Sequence, residues 1–288
     1  EVNKGLTPID TVKFASAYGT WLKNQNPKKR LKVVIGRDAR PSGKMVSDLV
    51  CSSLIGLGID VVNLGLSTTP TVEIAVPLEN ADGGIILTAS HNPKQWNALK
   101  LLNDRGEFIS GAEGNALLEI AENASFKFSE VDDLGTVTND DSYLKKHIDA
   151  VLALPLVNVD AIANANFSVV IDAVNSTGGI FVPALLEALG VVNITKLYCE
   201  PNGQFPHNPE PLPEHLTDLA TKIKETNADI GFTVDPDVDR LAMVCEDGSM
   251  FGEEYTLVAV ADYVLSQTPG TTVSNLSSTR ALRDITEQ

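Results

Sequence analysis

Gly83-Gly84-Ile85-Ile86-Leu87-Thr88-Ala89-Ser90-His91-Asn92-Pro93 opens as a strand and closes as a rigid polar turn. The apolar run shows no polar alternation, so the strand is buried on both faces, as in a largely parallel sheet. Ligands collect at the carboxyl ends of such strands, where Thr88 to Pro93 falls. Ser90 is placed there to act as a nucleophile or phosphate carrier. His91 gives it a polar or cationic neighbour, and Asn92 a turn-forming amide. The alternative is a Ser/Thr turn beside a surface histidine. Adjacent Ser and His do not by themselves make a Ser-His-Asp triad.

Working outward, Thr7-Pro8-Ile9-Asp10 starts a helix that runs to about Lys23. Thr7 caps, Pro8 suits the first turn, and Asp10 faces the positive end of the dipole. Lys28, Lys29 and Arg30 form a basic loop. Leu31 to Gly36 is a buried strand ending in Arg37-Asp38. Pro41 to Leu57 is helical, with Val46, Val50 and Leu54 on one face, and Gly58 stops it. Ile59 to Leu64 is a strand, and Thr69-Pro70 opens a helix. Leu99 to Leu102 is a short strand, with a turn at Asn103 to Gly106 and a helix over Gly111 to Ala121. Ser125 to Asp141 reads as a polar, acidic surface connection. Ser142 to Leu152 is a helix that Pro155 ends.

The alternation then restarts. Strands fall at Phe167–Asp172, Asn193–Tyr198, Asp229–Val234 and Leu241–Cys245, with helices up to Gly190 and over Pro213–Thr226. After Gly252 come a helix to about Leu265, a strand at Thr271–Leu276 and a helix from Thr279. The pattern predicts an α/β fold: repeated three-layer α/β/α domains with mixed, largely parallel sheets. The expected domains are 1–153, 154–252, and an incomplete third over 253–288. A start at Glu1 and a stop inside a helix-like stretch read as part of a longer chain.

Asp235-Pro236-Asp237-Val238-Asp239-Arg240 follows a buried strand. In an extended loop, alternate side chains face one way, so three carboxylates converge. They repel unless a cation neutralises them, and three hard oxygen ligands suit Mg²⁺. A solvated acidic loop is the bland alternative, set aside because Pro236 stiffens the loop between apolar strands. An EF-hand is discarded: Arg240 stands where the turn glycine is required, and strands replace helices. A phosphatase using Asp235 as nucleophile is the stronger rival, but it gives Ser90 no role. Four prolines in Glu200 to Pro211 force a fixed extended loop, either a connector or a site-facing segment. Thr177-Gly178-Gly179 could offer amides to an anion, although close helix packing explains the glycines better.

The 288 residues are 43% hydrophobic and 21% charged, enough for a large core and about two domains. A net charge of −16 repels nucleic acid and anionic membranes, so a phosphorylated ligand needs local cations, amides or metal. No apolar run approaches the ~20 residues of a membrane span, and no secretory leader is evident. Cys51, Cys199 and Cys245 fit neither a disulfide framework nor a zinc site. They read as reduced, buried thiols of a cytoplasmic protein.

Taken together, these segments resemble the α-D-phosphohexomutase superfamily: phosphoglucomutase, phosphomannomutase and phosphoglucosamine mutase. The resemblance rests on Gly36-Arg37-Asp38; on Thr88 to Pro93 with Asn97 and Lys100; on Glu200 to Pro211; on Asp235 to Arg240; and on Asn275-Leu276-Ser277-Ser278-Thr279-Arg280. It implies a phosphoserine at Ser90, supported by His91. It implies one Mg²⁺ on Asp235, Asp237, Asp239 and a phosphoserine oxygen. Lys100 would serve proton transfer, and Arg240 would orient the metal loop or the phosphate. The implied activity moves phosphate between the 1- and 6-positions of a hexose through a bisphosphorylated sugar. The implied partner is a hexose phosphate, with no nucleic acid or membrane, and residues 1–288 alone are expected to be inactive. The rival readings are a metal-dependent sugar-phosphate phosphatase and a non-catalytic sugar-phosphate-binding module. Two positions depart from the family pattern. Ala98 replaces a glycine, and Val238 stands where a small residue is usual, so the loop must keep φ negative there or carry strain.

Overall fold

A computed structural model describes every residue except 1, 3, 28, 29, 253, 277, 287 and 288. Lys28 and Lys29 of the basic loop, Glu253 at the expected third boundary and Ser277 of the last motif thus lie outside the described residues. Thr7 starts helix α1 (Pro8–Gln25) through a capping box. The Asp10 amide donates to Thr7 Oγ1 at 3.2 Å, and the Thr7 amide to Asp10 Oδ2 at 2.8 Å. There follow β1 (Lys32–Arg37), α2 (Gly43–Gly56), β2 (Asp60–Leu66), α3 (Thr69–Leu78), β3 (Gly83–Leu87), β4 (Leu99–Leu102), α4 (Gly111–Glu122), β5 (Val137–Asn139) and α5 (Tyr143–Leu152). The strands form one sheet in the order β4-β3-β1-β2-β5, in which β4 alone is antiparallel.

Every residue of β3 is buried, as its unbroken apolar run requires. Tyr18 of α1 and Leu54 of α2 pack in one core layer with Val33 and Ile35. Val72 and Val76 of α3 and Tyr143 of α5 pack in a second layer with Val34 and Ile86. Alternate residues of β1 thus point to opposite helical layers.

A second unit contains α6 (Val159–Ala165), β6 (Ser168–Asp172), α7 (Gly178–Ala188), β7 (Asn193–Leu197), α8 (Thr217–Thr226), β8 (Ile230–Val234) and β9 (Leu241–Cys245). Its sheet runs β7-β6-β8-β9, with β9 antiparallel. Helices α9 (Tyr255–Gln267) and α10 (Ala281–Thr286) complete the described elements. The fold is therefore α/β, with two mixed, mostly parallel sheets flanked by helices.

The structure corrects four local expectations. The stretch over Ser125–Asp141 contains β5, an exposed three-residue edge strand too short and polar to read from its pattern. Helix α6 lies in a segment with no helix assigned from sequence. Pro213 opens a 3₁₀ turn, Pro213–His215, and α8 begins only at Thr217. Thr271–Leu276 is not a strand: Val273 and Leu276 are exposed, and no described strand pairs with the segment. Cys51 is buried as expected, but Cys199 and Cys245 are only half-buried; all three are free. No helix among the described residues is long and apolar enough to cross a membrane.

Candidate functional site

Two strand ends meet. Ser90 follows β3 and Asp235 follows β8, and Ser90 Oγ donates to Asp235 Oδ2 at 2.9 Å. The other oxygen of Asp235 accepts the amides of Asp239 at 3.1 Å and Arg240 at 3.2 Å, which closes the acidic turn on itself. Asp235 and Asp237 are wholly buried, while Asp239 is exposed. One carboxylate oxygen from each lies within 4.8 Å of the others.

The acidic cluster fits a hard cation. Asp237 Oδ1 is buried and has no hydrogen-bond partner, a costly arrangement unless something positive meets it. Burial, then the charges of Asp237 and Asp239, push the Asp235 carboxyl up to about 8. A divalent ion would relieve both penalties, and three carboxylate oxygens are the donor set for it.

Lys100, on β4, reaches Asp237 Oδ2 at 2.6 Å and Asp239 Oδ2 at 2.8 Å. Burial disfavours its charge, but the two carboxylates outweigh burial and raise its pKa above the ordinary value. His91 Nδ1 lies 3.4 Å from Ser90 Oγ, and its Nε2 lies 3.9 Å from Glu210. Arg240 Nη1 lies 3.6 Å from the same Glu210 oxygen. All seven residues singled out in the sequence thus belong to one cluster. Glu210 also settles the character of the proline-rich segment, which faces the site. Val238 takes φ +63°, so of the two options open to it the loop carries the strain.

Sequence reasoning missed two groups. Thr69, the first residue of α3, donates its amide to Asp237 O at 2.8 Å and its hydroxyl to Asp237 Oδ2. Its only signal was the Thr-Pro helix start at the end of a strand. Arg40, almost fully buried, donates to the carbonyls of Ser90, Pro93 and Trp96; Arg37-Asp38 nearby was its only pointer. The Thr177-Gly178-Gly179 turn serves packing: a Cβ on Gly179 would sit 2.2 Å from Cys199 O. Thr177 and Ser176 also donate to Pro236 O at 2.9 and 2.6 Å, bracing the acidic loop from below.

Known proteins carry the same frame. The family described as phosphoglucomutase/phosphomannomutase, alpha/beta/alpha domain I, matches residues 1–128, and its domain II matches residues 145–248. A phosphoglucomutase/phosphomannomutase of Thermococcus kodakarensis is 34% identical over 99% of this chain and 62% of its own length. A protein named "Probable phosphoglucosamine mutase" from Pyrococcus horikoshii is 36% identical over 92% of this chain and 56% of its own. The crystal structure of a phosphoglucomutase/phosphomannomutase family protein from Burkholderia thailandensis superposes with TM-score 0.78 at 29% identity, covering 98% of this chain and 62% of that one. The chain belongs to the α-D-phosphohexomutase superfamily. It spans about three-fifths of the length of the relatives it matches.

Proposed function

We propose that this chain supplies the phosphoryl-donor side of a phosphohexomutase. The enzyme would move phosphate between the 1- and 6-positions of a hexose phosphate through a bisphosphorylated sugar. The observation that carries this reading is the 2.9 Å approach of Ser90 Oγ to an acidic cluster on the other sheet. Ser90 carries the phosphoryl group. Asp235, Asp237 and Asp239, with an oxygen on Ser90, would hold Mg²⁺. When bound, the ion screens the negative charge on the transferring group. Ser90 Oγ releases the phosphoryl group to one sugar hydroxyl and takes back the phosphoryl from the other position.

Lys100 is the assigned proton acceptor for the attacking hydroxyl. Paired with Asp237 and Asp239 it stays protonated, so a base role requires that pairing to be relaxed. His91, beside Ser90, and Arg240, which shares Glu210 with it, are assigned to the phosphate oxygens. The same reading puts domain boundaries after residues 153 and 252; the separation of the two sheets supports the first of them. The resemblance supports a cytoplasmic enzyme acting on hexose phosphates, and the net charge of −16 argues against nucleic-acid and membrane partners.

An aspartate-nucleophile phosphatase is disfavoured by geometry. Asp235 is wholly buried, and both its oxygens already accept hydrogen bonds. The test is direct. The full-length polypeptide is assayed with glucose, mannose and glucosamine 1-phosphates, each with a trace of the corresponding 1,6-bisphosphate. The phosphorylated residue is then mapped by mass. Phosphate on Ser90 with turnover of at least one sugar is expected. Phosphate on an aspartate and none on Ser90 would sink the mutase reading. An unphosphorylated protein that binds but does not turn over any sugar would favour a binding module.

A further inference from the structure

Arg40 has an unusual environment for an arginine near a phosphate-handling serine. It is 1% exposed, and its guanidinium donors go to one carboxylate and three backbone carbonyls. Nε donates to Asp38 Oδ2 at 2.8 Å, and Nη1 to Pro93 O at 2.6 Å and Trp96 O at 3.2 Å. Nη2 donates to Ser90 O. Asp38, itself wholly buried, accepts from the Arg40 amide at 2.9 Å and from Thr88 Oγ1 at 2.7 Å. Thr88 Oγ1 in turn accepts the Ser90 amide at 2.9 Å. The peptide units on either side of Ser90 are therefore both tied to one buried ion pair.

That matters because Ser90 takes φ +49°, a conformation that L residues avoid without outside support. The direction of Oγ toward Asp235 depends on it. The planar guanidinium can bind three carbonyls and a carboxylate at once, whereas an ammonium cannot reproduce that fan. The ring of Phe205, from the proline-rich segment of the second unit, lies 5.2 Å from the guanidinium carbon and covers the pair from the other side.

We propose that Arg40, fixed by Asp38, is the positioning residue of the serine loop. It holds Ser90 in the left-handed conformation that aims its hydroxyl at the acidic cluster. Its effect on turnover rests on Ser90 being the phosphoryl carrier; its effect on the loop does not.

The experiment compares full-length wild type with Arg40→Lys and with the double variant Asp38→Asn/Arg40→Met, which avoids leaving a buried carboxylate unpaired. Backbone hydrogen exchange is read at Ser90, Asn92 and Trp96, with β3 amides as the internal control. Exchange in the loop should quicken about tenfold or more in both variants while β3 is unchanged. With glucose 1-phosphate and a trace of glucose 1,6-bisphosphate, kcat should fall about a hundredfold. KM should move less than about threefold, because substrate contacts are untouched. Arg40→Lys should fall between wild type and the double variant. Wild-type exchange rates in the loop of either folded variant overturn the proposal, as does a rise in KM at unchanged kcat. If wild type itself turns over no hexose phosphate, the mutase reading falls, and loop exchange alone decides the role of Arg40.

Discussion

Ser90 Oγ and Asp235 Oδ2 meet at 2.9 Å across 145 residues of sequence. Each residue follows the carboxyl end of a strand in its own sheet, so the contact sets the register of one sheet against the other. Two backbone amides donate in the same place: Thr69 N–H to the Asp237 carbonyl at 2.8 Å, and Ala39 N–H to the Ser176 hydroxyl at 3.3 Å. The candidate site is thus also the seam between the two units.

Ser90→Ala removes one hydrogen bond from that seam but leaves the backbone ties of the serine loop. Asp235 is wholly buried and its Oδ2 loses this donor, so the change should cost about 1–3 kcal/mol, the penalty of an unpaired buried acceptor. Turnover in the full-length enzyme should fall to about 1% or less, since the neighbouring Thr88 and Thr69 hydroxyls are bonded to Asp38 and Asp237. Thermal melts and a coupled mutase assay check both halves. Near-normal turnover would exclude Ser90 as the carrier.

Val238 tests the strain in the acidic loop. At φ +63° a β-branched residue is held against its preference, at about 1–3 kcal/mol. Val238→Gly relieves that strain but loses a half-buried side chain and adds glycine's entropy cost of roughly 0.5–1 kcal/mol. These terms nearly cancel, so denaturant melts should show a change within about 1 kcal/mol. Val234→Gly, in the strand just before, has no strain to relieve and should cost about 2–4 kcal/mol. Equal losses at the two positions would show that Val238 is not strained.

The contrast between these two valines also marks what was legible in the sequence. Strand β3 announces itself because burial on both faces demands an unbroken apolar run, and β8 is apolar apart from Thr233. Ser90 and the three aspartates were legible because unusual polar turns follow those runs. Thr69 and Arg40 were not, because each acts on a loop remote in sequence: Asp237 lies 168 residues from Thr69, and Pro93 lies 53 from Arg40. Strand β5 stayed hidden for a different reason. Its three residues are exposed and hold their place through β2 and the Asp60 cluster rather than through an apolar pattern.

That cluster carries a pH signature. Asp60 is held at about 2, below its ordinary 3.8, first by hydrogen bonding to Arg30 and then by Thr136, with burial opposing. A carboxyl whose pKa is lowered on folding adds stability that is complete above its unfolded value and lost as pH falls through its folded one. The contribution should therefore be full above pH 3.8 and vanish toward about pH 2. Asp60→Asn should be less stable than wild type near neutrality, and the gap should close across that window. Thr136 N–H and Oγ1 both donate to Asp60 Oδ1, so exchange at Thr136 should quicken over the same range. A gap independent of pH would show that the Asp60 charge contributes nothing.

Mg²⁺ should act on stability as well as on turnover, and Asp237 should decide it. Asp235 and Asp237 are wholly buried, and Asp237 Oδ1 lacks a partner. Lys100 supplies a single charge against three carboxylates that lie together. The folded loop therefore carries an electrostatic penalty that a divalent ion removes and that the unfolded chain, with its aspartates solvated, does not feel. Binding to the folded state alone stabilises it by mass action, about 2.7 kcal/mol at a hundredfold excess over Kd. For domains of this size that corresponds to a rise in Tm of roughly 5–10 °C. Asp237→Asn keeps an acceptor for Thr69 but removes a charge and an anionic ligand, so the Mg²⁺-dependent rise should disappear. Without Mg²⁺ the same variant should melt close to wild type, because Asp235 loses a repelling neighbour while Lys100 keeps only Asp239 as its ion-pair partner. Differential scanning calorimetry with and without Mg²⁺, with EDTA as the control, reads both effects. An equal rise in wild type and Asp237→Asn would place the ion elsewhere.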